Sequence, residues 1–375
     1  MELSMESGLR PVLFRAPRQG TPARAVAEAL SHAGLAWRGW SSETAEPNDL
    51  KIEAGANAYA MDKSRLKAVS DIRLKPSQDV VDLVDQMYEG GGFMGKNLAE
   101  AARILLAMVK DKRCTKFLSF PAAPMATGLR GVIVDMVKNG MVDVIITASG
   151  TLDHDLARTW GRYYHGSFQM DDAKLQKIGY HRLGNLLVQL EDYGPAIEKK
   201  MQPWLDSLYS GGRRSISTEE LCFELGGLVD DERSLLHWSR KKGVPIFLPG
   251  PMDGAVGSQI WLFANRRSDF TVDVIKDEKR LADIVFDAKK TGALVIGGGI
   301  SKHHTIWWNM FKGGLDYASY ITTAVEYDGS LSGAQVREAV SWGKVKEKAQ
   351  QTTLYADATI ALPLIASYVL TKLEG

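Results

Sequence analysis

The chain has 375 residues, 45% of them hydrophobic and 24% charged, and carries a net charge of +1 from 46 basic and 45 acidic side chains. That length suits one large domain or two modest ones with a sizeable core, and the composition is that of a globular protein. Near-balance of charge gives no reason to expect nucleic-acid binding through a broad basic face, though it leaves room for a local patch, and no apolar run is long enough to span a bilayer, so neither a nucleic-acid nor a membrane partner is expected.

Residues 1–70 differ from the rest and are read as a variable N-terminal extension. Within it AVAEALSHAGLAWRGW has the spacing of a short amphipathic helix, and SSETAEPNDL breaks that pattern at Pro47. The first twenty residues mix Arg10, Arg15 and Arg18 with Glu2 and Glu6 and lack a signal-peptide apolar core, so a cytoplasmic location is expected. Cys114 and Cys222 have no metal-ligand spacing and are expected as reduced thiols.

Residues 71–375 form the second region. DVVDLVDQMYE predicts a helix closed by the glycines after it, and AEAARILLAMVK predicts a second helix. KFLSF reads as a strand, PAAPMATG as a turn and LRGVIVDMVKNG as a helix ended by Gly140. VDVIITASG, VPIFLPG, TGALVIGGG, DYASYITT and TTLYADA repeat the strand-then-turn design, the last leading into an apolar helix. The stretch from about Lys199 to Glu219, with Pro203, Gly211 and Gly212, reads as a surface excursion. Alternating strands and helices imply an α/β fold: a mostly parallel, Rossmann-like sheet covered by helices on both faces.

In such sheets the ligand crevice lies at the carboxyl ends of the strands. Those ends carry TASG (147–150), PMDG (251–254), GGG (297–299), TTA (322–324) and YADA (355–358). Glycines there admit close backbone approach to phosphate oxygens, and Asp253 and Asp357 suit either a ribose diol or a helix N-cap. The spacing is not GxGxxG, so the glycines alone equally suit a tight turn. Lys302, His303 and His304 follow them. Adjacent histidines do not readily share one ion and no third ligand is near, so no metal is expected. Glu338 and Trp342 are one helical turn apart, which lets a carboxylate and an indole face meet one ammonium. Gly343 is a natural helix end, placing Lys344 just past it. A lysine becomes nucleophilic when burial or nearby positive charge lowers its pKa.

GGGISKHH, EYDGSLSGA, EAVSWGK and YADA together resemble the deoxyhypusine synthase family, in a divergent, archaeal-like branch, with weaker coverage from about Lys75 to the C-terminus. The resemblance implies an NAD-binding catalytic domain over 71–375. It implies a transferase that uses NAD to oxidise spermidine and holds the released aminobutyl part as an imine on a lysine. That part then passes to a lysine of the hypusine-bearing translation factor. It implies Lys344 as the imine-forming lysine, with His303, Gly329, Ser330, Glu338 and Trp342 along the polyamine tunnel. It implies NAD contacts at Ser149, Gly150, Asp253, Gly298, Thr323, Ala324, Asp357 and Ala358, and a homotetramer with sites between paired subunits.

The chain departs from the family pattern at several positions. Leu331 stands where an acid is usual, Ser258 where Asp is, and Trp307 where Asn is. Asp153 and His154 replace a glutamate pair, and Ala122, Ala123 and Ala126 occupy the early loop. A charge-assisted contact contributes roughly 1.5–3 kcal/mol. Two such losses favour a rebuilt, more apolar donor pocket, for which agmatine is a candidate. Two other functions use overlapping motifs: an aminobutyl transferase making homospermidine or a related polyamine, and an inactive NAD-binding homologue.

Overall fold

The computed structural model describes residues 66–374. The expected N-terminal extension, with its short helix at 25–40, lies almost wholly outside the described residues. The chain divides between Ala68 and Val69, and the second unit carries all the regular elements described below.

Its centre is a six-stranded parallel sheet. The strands are β1 (Cys114–Phe120), β2 (Val144–Thr147), β7 (Ile246–Phe247), β9 (Lys290–Ile296), β10 (Leu315–Thr322) and β11 (Val345–Tyr355), in the order β11-β10-β9-β1-β2-β7. The chain starts in the middle, winds to β7, returns to β9 and winds outward to β11. That is the doubly wound order, with its switch point between β1 and β9. β3 (Tyr163–His165), β4 (Tyr180–Leu183) and β5 (Leu186–Gln189) form a small antiparallel sheet; β6 (Ser215–Ile216) and β8 (Thr271–Val272) pair in parallel.

Both faces of the large sheet are dry, because successive side chains point to opposite sides and both sides are apolar. Leu118, Phe120, Ile145, Leu294 and Ile321 pack with the helices Phe93–Lys110, Leu129–Lys138 and Ala358–Glu374. Their neighbours Phe117, Val144, Ile146, Val295 and Tyr320 pack on the other side, with Leu281 and Val285 of helix Val274–Asp287 and Ile306 of helix Gly299–Met310. Cys114 and Cys222 are buried free thiols, and burial pushes the Cys114 thiol up to about 12.

Two expectations change. The stretch after Lys199 is no surface excursion: Gly194–Ser210 is one helix that runs through Pro203 and buries Ile197, Met201 and Leu205. A proline inside a helix costs about 3 kcal/mol, yet three apolar residues spaced four apart on one face bury enough area to outweigh it. Gln202 beside it reaches the backbone of Gln259 at 3.0 Å in the helix Ala255–Arg266. β11 is also longer than expected, starting at Val345 instead of near Thr352. It is the edge strand, so its polar run from Lys346 to Gln351 needs no apolar neighbour on the open side.

Helix starts leave backbone N–H groups without partners, and here buried aspartates from distant segments satisfy them. Asp155 accepts from Leu235 N at 3.1 Å and Leu236 N at 2.9 Å, opening the helix Leu235–Lys242, and holds Arg130 at 2.7 Å. Asp277 accepts from Thr218 N at 2.8 Å and Glu219 N at 3.0 Å, opening Thr218–Leu228. Asp155→Ala leaves two orphan N–H groups and a buried guanidinium with only the more distant Asp231 carboxylate, at 4.0 Å, beside it. It is expected to destabilise the fold by about 3–5 kcal/mol, read as a lower denaturant midpoint. A loss under about 1 kcal/mol contradicts this account.

Candidate active site at the carboxyl edge of the sheet

The switch point is built by the glycine turn after β9. Gly297 and Gly299 have φ of +68° and +70°, the left-handed region that favours glycine. Gly298 is extended, but a Cβ there would come within 2.1 Å of Ser332 Oγ. So two of the three glycines answer to backbone conformation and the third to the approach of the loop after β10. Gly297 faces Pro121 of the loop after β1, 3.4 Å from where its Cβ would be. The turn therefore joins both sides of the crevice and launches the helix Gly299–Met310.

Three consecutive side chains on that helix do three different things. Lys302 points inward and is buried. Its Nζ donates to the carbonyls of Leu331 at 2.6 Å and Ala334 at 2.8 Å and sits 4.2 Å from the centre of the Tyr320 ring. Burial lowers its pKa to about 8, against the opposing pull of Glu338. His303 points to the crevice and stacks on Trp307, with ring centres 5.5 Å apart. Burial and the charge of Lys344 both lower its pKa. His304 turns to the neighbouring helix, with Nε2 3.3 Å from Glu278 Oε1. The two histidines thus diverge.

Lys344 owes its place to a helix end. The short helix Glu338–Ser341 is capped at Trp342, and Gly343 follows with φ of +68°. Gly343 N–H donates to Val340 O and Lys344 N–H to Ala339 O, both at 2.9 Å. This paired closure is a Schellman motif, which sets the direction in which the chain leaves the helix. Lys344 O then accepts from Leu315 N at 3.1 Å, tying the residue to β10. Lys344 is only 8% exposed, while Trp342 is 63% exposed. Lys344 Nζ lies 5.0 Å from the Trp342 ring centre and 5.8 Å from that of Trp307, within cation–π reach of both. Among the described residues Lys344 forms no ion pair with a carboxylate. The helix is one turn long, with Trp342 as its C-cap. Glu338 is exposed at the first turn, and its field reaches Lys302 and Tyr320 instead.

The other predicted positions ring the same edge. Gly329 (φ +74°) and Ser330 lie in an exposed turn in which Ser330 N–H donates to Asp328 Oδ1 at 2.6 Å. Ser149 is buried and its Oγ donates to Pro251 O at 2.9 Å. Gly150 opens a helix directly against Ala122, whose Cβ lies 2.9 Å from where a Gly150 Cβ would sit. Asp253 and Thr323 are exposed, and Ala324 N–H donates to Thr322 Oγ1 at 3.1 Å. Asp357 acts as the N-cap of Ala358–Glu374, accepting from Thr359 N–H at 2.6 Å.

The divergent positions also have structural explanations. Asp153 is buried and accepts from Ala255 N and Val256 N, each at 2.8 Å, and from Tyr193 Oη at 2.9 Å. It caps the helix behind PMDG, and a Cβ at Gly254 would meet its Oδ2 at 2.6 Å. Burial raises its carboxyl, against those donors. His154 pairs through Nδ1 with Tyr163 Oη at 2.8 Å, and burial lowers it to about 4, so it is neutral at physiological pH. Ser258 Oγ turns back to Gly254 O at 2.9 Å, and Leu331 packs on the apolar cluster under β10. No local sequence signal announces Asp153, Tyr193 or Glu278 as part of this region, because each acts on a partner far away in the chain.

The deoxyhypusine synthase family model matches residues 82–369. The chain is similar to a protein of Picrophilus torridus named "Probable deoxyhypusine synthase", at 50% identity over 309 residues, covering 82% of this chain and 99% of that one. A protein of the same name from Thermoplasma volcanium is 50% identical over 307 residues, covering 81% and 98%. One from Ignicoccus hospitalis is 45% identical over 311 residues, covering 82% and 96%. In three dimensions the chain is similar to the crystal structure of a candidate deoxyhypusine synthase from Entamoeba histolytica, with a TM-score of 0.54, 20% identity, and coverage of 79% and 94%. The chain belongs to the deoxyhypusine synthase family.

Proposed function

We propose that the protein is an NAD-dependent aminobutyl transferase of the deoxyhypusine synthase type. In this reading Lys344 carries the transferred four-carbon unit as an imine and hands it to a lysine of the hypusine-bearing translation factor. The observation that carries the reading is the setting of Lys344: a nearly buried amine between two indoles, without a carboxylate partner among the described residues, at the carboxyl edge of a doubly wound sheet. A lysine held this way is shielded from water but open to a slender cation.

The residues present suit NAD. Helices starting at Gly150 and Gly299 bring amino ends without a side-chain cap to this edge, and such ends favour phosphate. Gly299 and Asp253 are exposed there. Ser149, Gly150, Gly298, Thr323, Ala324, Asp357 and Ala358 complete the proposed cofactor contacts. Bound NAD supplies a hydride acceptor that later returns the hydride. The chain's own groups do the rest. Lys344 nitrogen takes the oxidised donor carbon as the donor's own amine leaves. In this reading His303, its pKa lowered by burial and by the charge of Lys344, holds or moves a proton at that nitrogen. Glu338, Gly329 and Ser330 bind the distal amine, and Trp342 covers the chain.

The donor is spermidine or a related amine. Leu331 and Ser258 offer no charge, and Trp307 and Trp342 present indole faces. Indoles stack well on a guanidinium, which favours agmatine as the alternative donor. Transfer to a small amine, yielding homospermidine or a relative, uses the same groups and differs in acceptor; an inactive homologue is the contrasting outcome. The proposed assembly is a homotetramer with each site between paired subunits, and residues 1–70 are a separate extension of the catalytic domain.

The test is incubation with NAD and carbon-labelled spermidine or agmatine, with and without the translation factor, followed by mass spectrometry. Label on one factor lysine supports the reading; label only in free polyamine moves the chain to the small-amine function; no label in either contradicts both. Lys344→Ala and Lys344→Arg are expected to abolish donor-dependent labelling of the enzyme while NAD binding persists. Normal transfer by either variant shows that the nucleophile lies elsewhere. Glu338→Gln is expected to raise the donor KM about tenfold or more, the loss of one charge-assisted contact. An unchanged KM removes Glu338 from the donor site.

A further inference from the structure

Glu278 lies outside every motif named so far, on the helix Val274–Asp287. One of its carboxylate oxygens accepts from Trp308 Nε1–H at 2.7 Å, and the other lies 3.3 Å from His304 Nε2. His304 and Trp308 are four residues apart, hence one above the other on a single stripe of the helix Gly299–Met310. His303 and Trp307 form the adjacent stripe, turned by about 100°. That second stripe faces Lys344: Trp307 lies 5.8 Å from its Nζ and stacks on His303. A single carboxylate therefore meets two successive turns of the helix on the stripe next to the reacting one, hydrogen-bonded to Trp308 and standing beside His304. A hydrogen bond made off the axis, on the helix's flank, resists rotation of the helix about that axis.

The geometry points to Glu278 as a positioning residue that sets the roll of the helix Gly299–Met310, and so the placement of His303 and Trp307 over Lys344. This rests on the function proposed above. The buried face of the same helix, with Ser301, Thr305, Ile306 and Asn309, holds it against the sheet, and Glu278 fastens its outer flank. Lys302 braces the opposite, inner side through the Leu331 and Ala334 carbonyls, so releasing Glu278 frees the outer flank without detaching the helix. Gln at position 278 keeps an acceptor for Trp308 N–H and sets a polar amide beside His304, whose Nε2 can accept from it in the Nδ1–H tautomer; Ala offers neither.

The test uses the full chain with 5-fluorotryptophan and ¹⁹F NMR, the Trp307 resonance being assigned by its loss in Trp307→Phe. Glu278→Ala is expected to shift or broaden that resonance and Glu278→Gln to leave it in place. Borohydride trapping of donor on Lys344 is expected to slow at least about tenfold in Glu278→Ala, since small misplacements of reacting groups weaken catalysis strongly. Glu278→Gln is expected to stay within about twofold of the parent, and NAD affinity to be unchanged in both. Should Glu278→Ala fail to fold, Trp308→Phe removes the hydrogen bond while keeping a ring in place, and is expected to disturb the Trp307 resonance in the same direction. An unmoved Trp307 resonance in the folded variant, or a Glu278→Gln variant as slow as Glu278→Ala, overturns the assignment. The resonance judges the positioning even if the parent protein traps no donor, an outcome that counts against the proposed function alone.

Discussion

The structure depends on how buried helix starts are satisfied. A parallel sheet forces every crossover helix to run back against the strands, so helix amino ends collect beside the strands' carboxyl ends. Some of those ends must be sealed and others must stay open to a ligand. Asp153 and Asp155, on one helix, seal the starts of Ala255–Arg266 and Leu235–Lys242, which the chain reaches 80 to 103 residues later. Each replaces water with a charge-assisted bond in a dry interior, where the alternative is an orphan N–H. Asp155 also neutralises Arg130. The sealed ends hold the loops; the glycine-led start at Gly299 is left exposed among them.

The same logic places the amine. Lys344 is not carried on a regular element but stands three residues beyond the end of the helix Glu338–Ser341, where Gly343 takes a left-handed conformation and two backbone hydrogen bonds close the turn. The position is therefore set by backbone geometry, and burial between Trp307 and Trp342 follows from it. Lys302, one helix away, shows the other fate of a buried lysine: its charge is absorbed by two carbonyls of the loop beyond Gly329. The two amines are both buried, but only one lies beside open indole faces.

Much of this was legible in the sequence. Apolar strands ending in small residues predicted the doubly wound sheet, and the glycine after Trp342 predicted the helix end before Lys344. Long-range polar pairing was not legible. Asp153 looks like a replaced glutamate until Ala255 and Val256 are seen above it, because a cap supplied from another segment leaves no local pattern. Glu278 looks like an ordinary charge on an amphipathic helix until Trp308 is placed. Pro203 misled because a proline's local penalty is visible in sequence, whereas the tertiary burial of Ile197, Met201 and Leu205 that outweighs it is not.

The central claim is that Lys344 forms a covalent bond with the donor. The most direct measurement is peptide mass spectrometry of the protein after incubation with NAD and each candidate amine, reduced with borohydride. The account predicts a single adduct of the four-carbon aminobutyl unit, dependent on NAD and located at Lys344. An adduct at another lysine, or none with any of these amines under conditions where the protein is folded and binds NAD, contradicts it.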